Sequence, residues 1–166
     1  MGSDNWIDKL ADETKRHEEE LSKQEEIRVH QHEVIEQKTR ALWDALVSDV
    51  ERDVRKFQQD FANDKRRSFQ FDKPSADTFR LYRTDDPAIE LDVHLNIPKR
   101  EIEFTEKQSS ENAVLSGTLF VQVDEKDNLY LTRYGRDFFD MADAARMLVE
   151  PVFTFLTTES PLLSSG

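Results

Sequence analysis

The sequence predicts an α+β fold in which a long N-terminal helix precedes an antiparallel sheet of about five or six strands in a meander, and a C-terminal helix packs on the apolar face of that sheet. Three observations lead to this prediction. Residues 3–73 contain neither glycine nor proline, so nothing in them interrupts a helix. From residue 68 onwards apolar and polar residues alternate, which is typical of strands with one buried face. After Gly135 the apolar spacing returns to that of a helix.

The first segment of the long helix, residues 1–40, is strongly charged, and half of the residues between Asp8 and Arg40 carry a charge. Ion pairs within a helix contribute only about 0.2–0.5 kcal/mol each, which does not order an isolated helix of this length. A heptad counted from Leu10 contains too many polar residues for a strong zipper. We therefore expect a protruding segment that either pairs with a second copy, a dimer being favoured, or is partly mobile. The predicted oligomer seam consists of Leu10, Leu21, Ile27, Val34 and Ile35.

The second segment, predicted as a helix over residues 41–66, carries a wider apolar stripe. This stripe comprises Leu42, Trp43, Leu46, Val47, Val50, Val54, Phe57 and Phe61. It is broad enough to cover part of a core, so we assign residues 41–157 to one α+β domain. Whether the two segments form one continuous helix stays open at this stage.

The sheet is predicted over residues 68–133. Alternation is clearest in residues 88–97, where five apolar side chains point to one face and four polar ones to the other. Turn signals at Pro98-Lys99 and at residues 124–128 indicate hairpins. Since neighbouring strands then follow one another in sequence, a meander is the simplest topology.

The last predicted helix covers residues 137–156. Asp137 is its expected N-terminal cap, and Pro151 is expected to kink or end it. Residues 158–166 are predicted to form a flexible tail.

Composition excludes several classes of function. The chain carries a net charge of −12 and no cysteine, so disulfides, thiol catalysis and thiolate metal sites are excluded. The one basic cluster, Lys65-Arg66-Arg67, is only three residues long and is better explained as the C-terminus of a helix than as a nucleic-acid site. No segment is apolar enough to span a membrane. We expect a cytoplasmic protein without a cofactor, although a removed signal peptide would leave no trace in this sequence.

Two groups of residues are candidate sites. Glu90, Asp92 and His94 alternate along one strand and project side by side, as a metal site or a proton-transfer site would require. The alternative interpretation is the solvated face of an antiparallel sheet. Phe120 shares a strand face with polar residues and is either an anchor for a partner or an ordinary exposed aromatic residue.

Three functional hypotheses follow. The first is a non-enzymatic interaction module that self-associates through the protruding helix and presents its sheet domain to a protein partner. The second is a carrier or sensor of a small apolar ligand, with a cavity between the sheet and the C-terminal helix. The third, an enzyme built on Asp92 and His94, ranks last because no pocket is evident around that strand.

Overall fold

A computed structural model of the chain describes residues 2–86, 88–108 and 113–158. In chain order the elements are α1 (Gly2–Asp60), β1 (Gln70–Ser75), β2 (Thr78–Arg83), β3 (Ile89–Asn96), β4 (Glu101–Gln108), β5 (Ala113–Val123), β6 (Leu129–Arg133), β7 (Arg136–Phe138) and α2 (Met141–Thr158). The predicted α+β class, the long first helix, the meander and the C-terminal helix are confirmed, with seven strands instead of five or six. The predicted flexible tail lies outside the described residues, except for Thr158.

The long helix α1 is continuous from Gly2 to Asp60 and is about 90 Å long at 1.5 Å per residue. It ends six residues before the predicted boundary at residue 66. After Asp60 the chain forms a turn in which the backbone N–H of Asp64 donates a hydrogen bond of 3.1 Å to the carbonyl of Phe61. The side chain of Asp64 accepts a hydrogen bond of 3.0 Å from the backbone N–H of Arg66 and forms an ion pair with Arg67. Asp64 thereby starts a separate 3₁₀ turn, Lys65–Arg67.

The sheet is fully antiparallel, and the order of its strands is their order in the chain. The prediction ended the sheet at residue 133 and began the last helix at residue 137. In the structure Tyr134 and Gly135 have φ angles of 51° and 76°, as a two-residue type I′ turn requires. The chain therefore reverses at once into the short strand β7, which pairs with β6.

The last helix, α2, begins at Met141, where the side chain of Asp140 accepts a hydrogen bond of 3.0 Å from the backbone N–H of Ala142. Asp140 and not Asp137 is thus the capping residue. Pro151 does not end α2, which continues to Thr158. Three buried side chains follow the proline and hold this last part of the helix on the core: Val152, Phe155 and Leu156.

One hydrophobic core lies between the apolar face of the sheet and the two helices. Its largest fully buried side chains are Trp43, Leu46, Val50, Phe79, Leu81, Ile89, Leu91, Leu95, Ile102, Leu119, Leu131 and Leu148. Trp43 also satisfies its indole N–H, which donates a hydrogen bond of 2.8 Å to the carbonyl of Ala76. Phe57 of α1 stacks on Phe153 of α2 with ring centroids 4.3 Å apart. The second half of α1 is therefore an integral part of the domain.

The opposite face of the sheet carries the alternating polar side chains, which the two helices leave open to solvent. Within the described ranges, no helix combines the length and the apolar character needed to cross a membrane.

Candidate functional site

The first half of α1 extends beyond the rest of the protein. Every residue from Asn5 to Gln31 is exposed, and α1 meets the domain at His30, whose Nε2 lies 2.9 Å from Oδ2 of Asp127. The part before His30 is about 40 Å long at 1.5 Å per residue. Its exposed large apolar side chains are Trp6, Ile7, Leu10, Leu21, Ile27 and Val29.

Four of these apolar residues repeat the pattern by which α1 packs in the core. An α-helix completes ten turns in thirty-six residues, so residues that far apart lie on the same face. Trp6, Ile7, Leu10 and Leu21 precede the buried residues Leu42, Trp43, Leu46 and Phe57, respectively, by thirty-six positions. We call these four exposed residues the exposed stripe; their exposed fractions lie between 51% and 59%. Part of the core-packing face of α1 thus continues past the domain, where no described residue of the same chain covers it.

The structure divides the predicted oligomer seam into two parts. Leu10, Leu21 and Ile27 are exposed, whereas Val34 and Ile35 are each only 6% exposed. Val34 and Ile35 are already covered by the chain's own fold, at the point where α1 meets the domain, and cannot contribute to an exposed seam. The available apolar surface therefore lies between residues 6 and 29.

Trp6 and Ile7 belong to the exposed stripe but were not among the residues predicted for the oligomer seam. A comparison of the two halves of α1 at an offset of thirty-six residues would have identified both.

The second candidate site is the polar face of β3, where Glu90, Asp92 and His94 project to the same side of the sheet. Arg80 of β2 lies between the carboxylates, with Nη2 2.6 Å from Oε1 of Glu90 and Nε 3.1 Å from Oδ1 of Asp92. The guanidinium also lies 4.7 Å from the centre of the Tyr82 ring. One cation therefore neutralises part of the charge of two carboxylates.

The environment of Asp92 changes its acidity. Partial burial and, next, the charge of Glu90 raise the pKa of the Asp92 carboxyl, while Arg80 acts in the opposite direction. His94 stands apart from this group, since its Nδ1 lies 3.2 Å from Oγ1 of Thr78. In the part of the chain that the structure describes, no three metal-ligating side chains come together. The geometry is that of a polar sheet face held by a shared ion pair.

Phe120 lies at the rim of a cleft where α1 meets the end of the sheet. Its side chain is 44% exposed. The cleft, of about 300 Å³, is lined on the α1 side by Arg28 and Gln31 and on the sheet side by Lys99, Arg100 and Phe120. Because these residues meet only through tertiary packing, no sequence pattern pointed to the cleft.

An apolar-ligand carrier requires a cavity between the sheet and α2. The clefts lined by described residues, including one beside α2 at Met147 and Phe155, open to solvent. At the centre of the interface Leu91, Leu119 and Leu148 are at most 2% exposed. None of these observations specifically favours the carrier hypothesis.

No family model matches the chain, and comparisons with curated proteins and with solved structures find no match. Function is therefore inferred from geometry and physical chemistry.

Proposed function

We propose that this protein is a non-enzymatic, self-associating interaction module. The exposed part of α1 joins two copies, and each copy presents its sheet domain to a protein partner. The exposed stripe is the observation that carries the proposal, since it repeats four of the apolar positions at which α1 packs in the core, although the buried Val50 and Val54 correspond to the polar residues Thr14 and Glu18. A face that is apolar enough to pack against a sheet is equally suited to pack against another helix.

The energetics support a reversible dimer. Burial of a large apolar side chain contributes about 1.5–3 kcal/mol, and roughly half of this is still available because the helix itself shields part of each side chain. Two copies together bury eight stripe residues, which amounts to about 10 kcal/mol. This is comparable with the loss of translational and rotational freedom on association, about 4–15 kcal/mol.

The helix itself needs such a partner. Its exposed half has local ion pairs such as Arg28 with Glu25, whose Nη2 and Oε1 lie 2.5 Å apart. Pairs of this kind on a solvent-exposed helix contribute little, and an unsupported helix of this length is marginal in water. Pairing with a second copy would supply the missing tertiary contacts.

The test is the mass of the particle in solution, measured by light scattering after size exclusion. We expect two chains for the native protein. Replacing two stripe residues, L10E with L21E, should raise the dissociation constant roughly 100-fold or more, because four apolar contacts are lost per dimer.

The matched control is N5E with S22E, which adds the same charge on the opposite side of α1 and should stay dimeric. A native protein that is monomeric at high micromolar concentration would refute the proposal. So would a folded L10E, L21E variant that dimerises as tightly as the control.

A further inference from the structure

We infer that the two copies pair antiparallel over residues 2–29 of α1, with Leu10 of one copy against Leu21 of the partner subunit. This inference rests on the proposed function, because it specifies how the exposed stripe meets a second copy.

The seam of the exposed half follows alternating steps of three and four residues: Ile7, Leu10, Thr14, His17, Leu21 and Gln24. Such steps describe the contact line of two paired helices. In an antiparallel pair the residue numbers of facing positions have a constant sum. Placing Leu10 against Leu21 of the partner subunit puts Thr14 against His17, and this register matches the two leucines of each copy with those of the other.

The same register accounts for Ile27, which is 58% exposed and lies outside the stripe. Trp6 and Ile27 occupy equivalent positions on one edge of the seam, three heptads apart. Residues on this edge face each other in antiparallel pairs. Trp6 therefore comes to lie beside Ile27 of the partner subunit, so that one register covers both exposed residues.

Charge along the edges of the seam does not distinguish the antiparallel arrangement from the parallel one. In a parallel pair the two edges of the seam face each other, which would place Glu13 beside Glu18 and Glu20 beside Glu25, twice each. Like charges at such positions destabilise the pair. The antiparallel register brings together Glu13 and Glu20, and also the acidic positions 4 and 25, twice each. The two arrangements therefore contain equal numbers of repulsive pairs, and the apolar contact between Trp6 and Ile27 favours the antiparallel one.

The free length of α1 fits this register. Residue 2 of the partner subunit comes opposite residue 29, immediately before His30, where α1 meets the turn that contains Asp127. Shifting the register by one heptad in one direction drives the partner helix into the domain. Shifting it in the other direction moves Leu10 from Leu21 onto Thr14. The partner helix ends next to the cleft lined by Arg28 and Phe120, which gives Phe120 a place at the interface.

Disulfide trapping tests the register. The chain has no native cysteine, so only the introduced cysteines can form a crosslink. In the inferred pair, Ile7 of one copy faces Gln24 of the partner subunit. The two copies of Ile7 lie about 25 Å apart along the helix axis, and so do the two copies of Gln24. An oxidised mixture of I7C and Q24C proteins should therefore give at least tenfold more crosslinked dimer than either protein alone. The matched control is a mixture of D12C and E19C, which lie at the same heights on the outer faces and should not crosslink.

The possible outcomes distinguish a failure of the antiparallel register from a failure of the proposed self-association. Crosslinking of I7C alone and of Q24C alone, without enrichment in the mixture, would show parallel pairing and overturn this inference while the self-association stands. A two-chain particle in which none of the three samples crosslinks would overturn the register. A native protein with the mass of one chain would remove the proposed function together with the inference.

Discussion

At the scale of single residues, Gly117 shows how closely the core is packed. It lies in β5 opposite Phe104 of β4, and a Cβ atom there would be 2.3 Å from Cζ of Phe104 and 2.8 Å from Nη2 of Arg133. Because the Phe104 ring is buried, it cannot simply swing away. Glycine at this position permits the close approach of two strands and a ring, and the register of β4 with β5 runs through it without a bulge.

We therefore expect G117A to destabilise the protein by about 1–3 kcal/mol, as overpacked cores do. The free energy of unfolding, measured by urea denaturation, checks this. S116A, at the neighbouring position on the open face of the same strand, should change it by less than about 0.5 kcal/mol. If the two variants have the same free energy of unfolding, the sheet accommodates a Cβ atom at position 117 without loss of stability.

The polar face of β3 allows a prediction about pH. The raised pKa of Asp92 means that the folded state holds this proton more tightly than the unfolded chain does. Its contribution to stability therefore increases as the pH falls through the folded pKa, and it is unfavourable above that pH. Removing the cation in R80Q should raise the pKa of Asp92 further, so stability should fall most at neutral pH.

NMR titration of the side-chain carboxyl carbons, combined with denaturation at several pH values, measures both effects. R55Q removes another arginine, whose guanidinium lies 3.7 Å from a carboxylate oxygen of Glu51 on the exposed side of α1. It should leave the titration of Asp92 unchanged. If R80Q leaves that titration unchanged as well, Arg80 does not control the charge on this face.

At the scale of elements, the two segments of α1 differ in what they pack against. The first carries only part of the apolar stripe of the second, and only the second has a sheet and α2 to pack against. The sequence predicted the charged first segment, the wide stripe of the second and the alternation of the strands, because each depends on local periodicity. It could not show that Val34 and Ile35 lie against the domain, since that depends on where the turn after β5 meets the helix.

The missed boundaries have local physical causes. The three-residue strand β7 is too short for a period to be visible, and a type I′ turn at Tyr134 and Gly135 has no distinctive signal when a tyrosine occupies one of its positions. After the end of α1, the 3₁₀ turn Lys65–Arg67 is capped by a single side chain, that of Asp64. The pairing of Arg80 with two carboxylates of β3 requires the strand register, which alternation alone does not supply.

At the scale of the whole molecule, the proposed antiparallel pair would place one sheet domain at each end of the assembly. The polar face of each domain is free of its own helices. A partner with two binding sites could contact both domains at once, and the effective concentration at the second site would then be set by the separation of the domains. A rigid rod fixes that separation, whereas a flexible linker would leave it variable.

The proposed antiparallel pairing predicts a specific length for the assembly. One copy of α1 is about 90 Å long, and two copies that overlap over residues 2–29 extend to about 130 Å. A parallel pair of the same mass would be only about 90 Å long, because both domains would then lie at the same end. Small-angle X-ray scattering measures the maximum dimension, and L10E with L21E provides the single-chain reference. We expect about 130 Å for the native two-chain particle; a two-chain particle no longer than the reference would contradict the antiparallel rod, and a markedly shorter one would mean that α1 folds back.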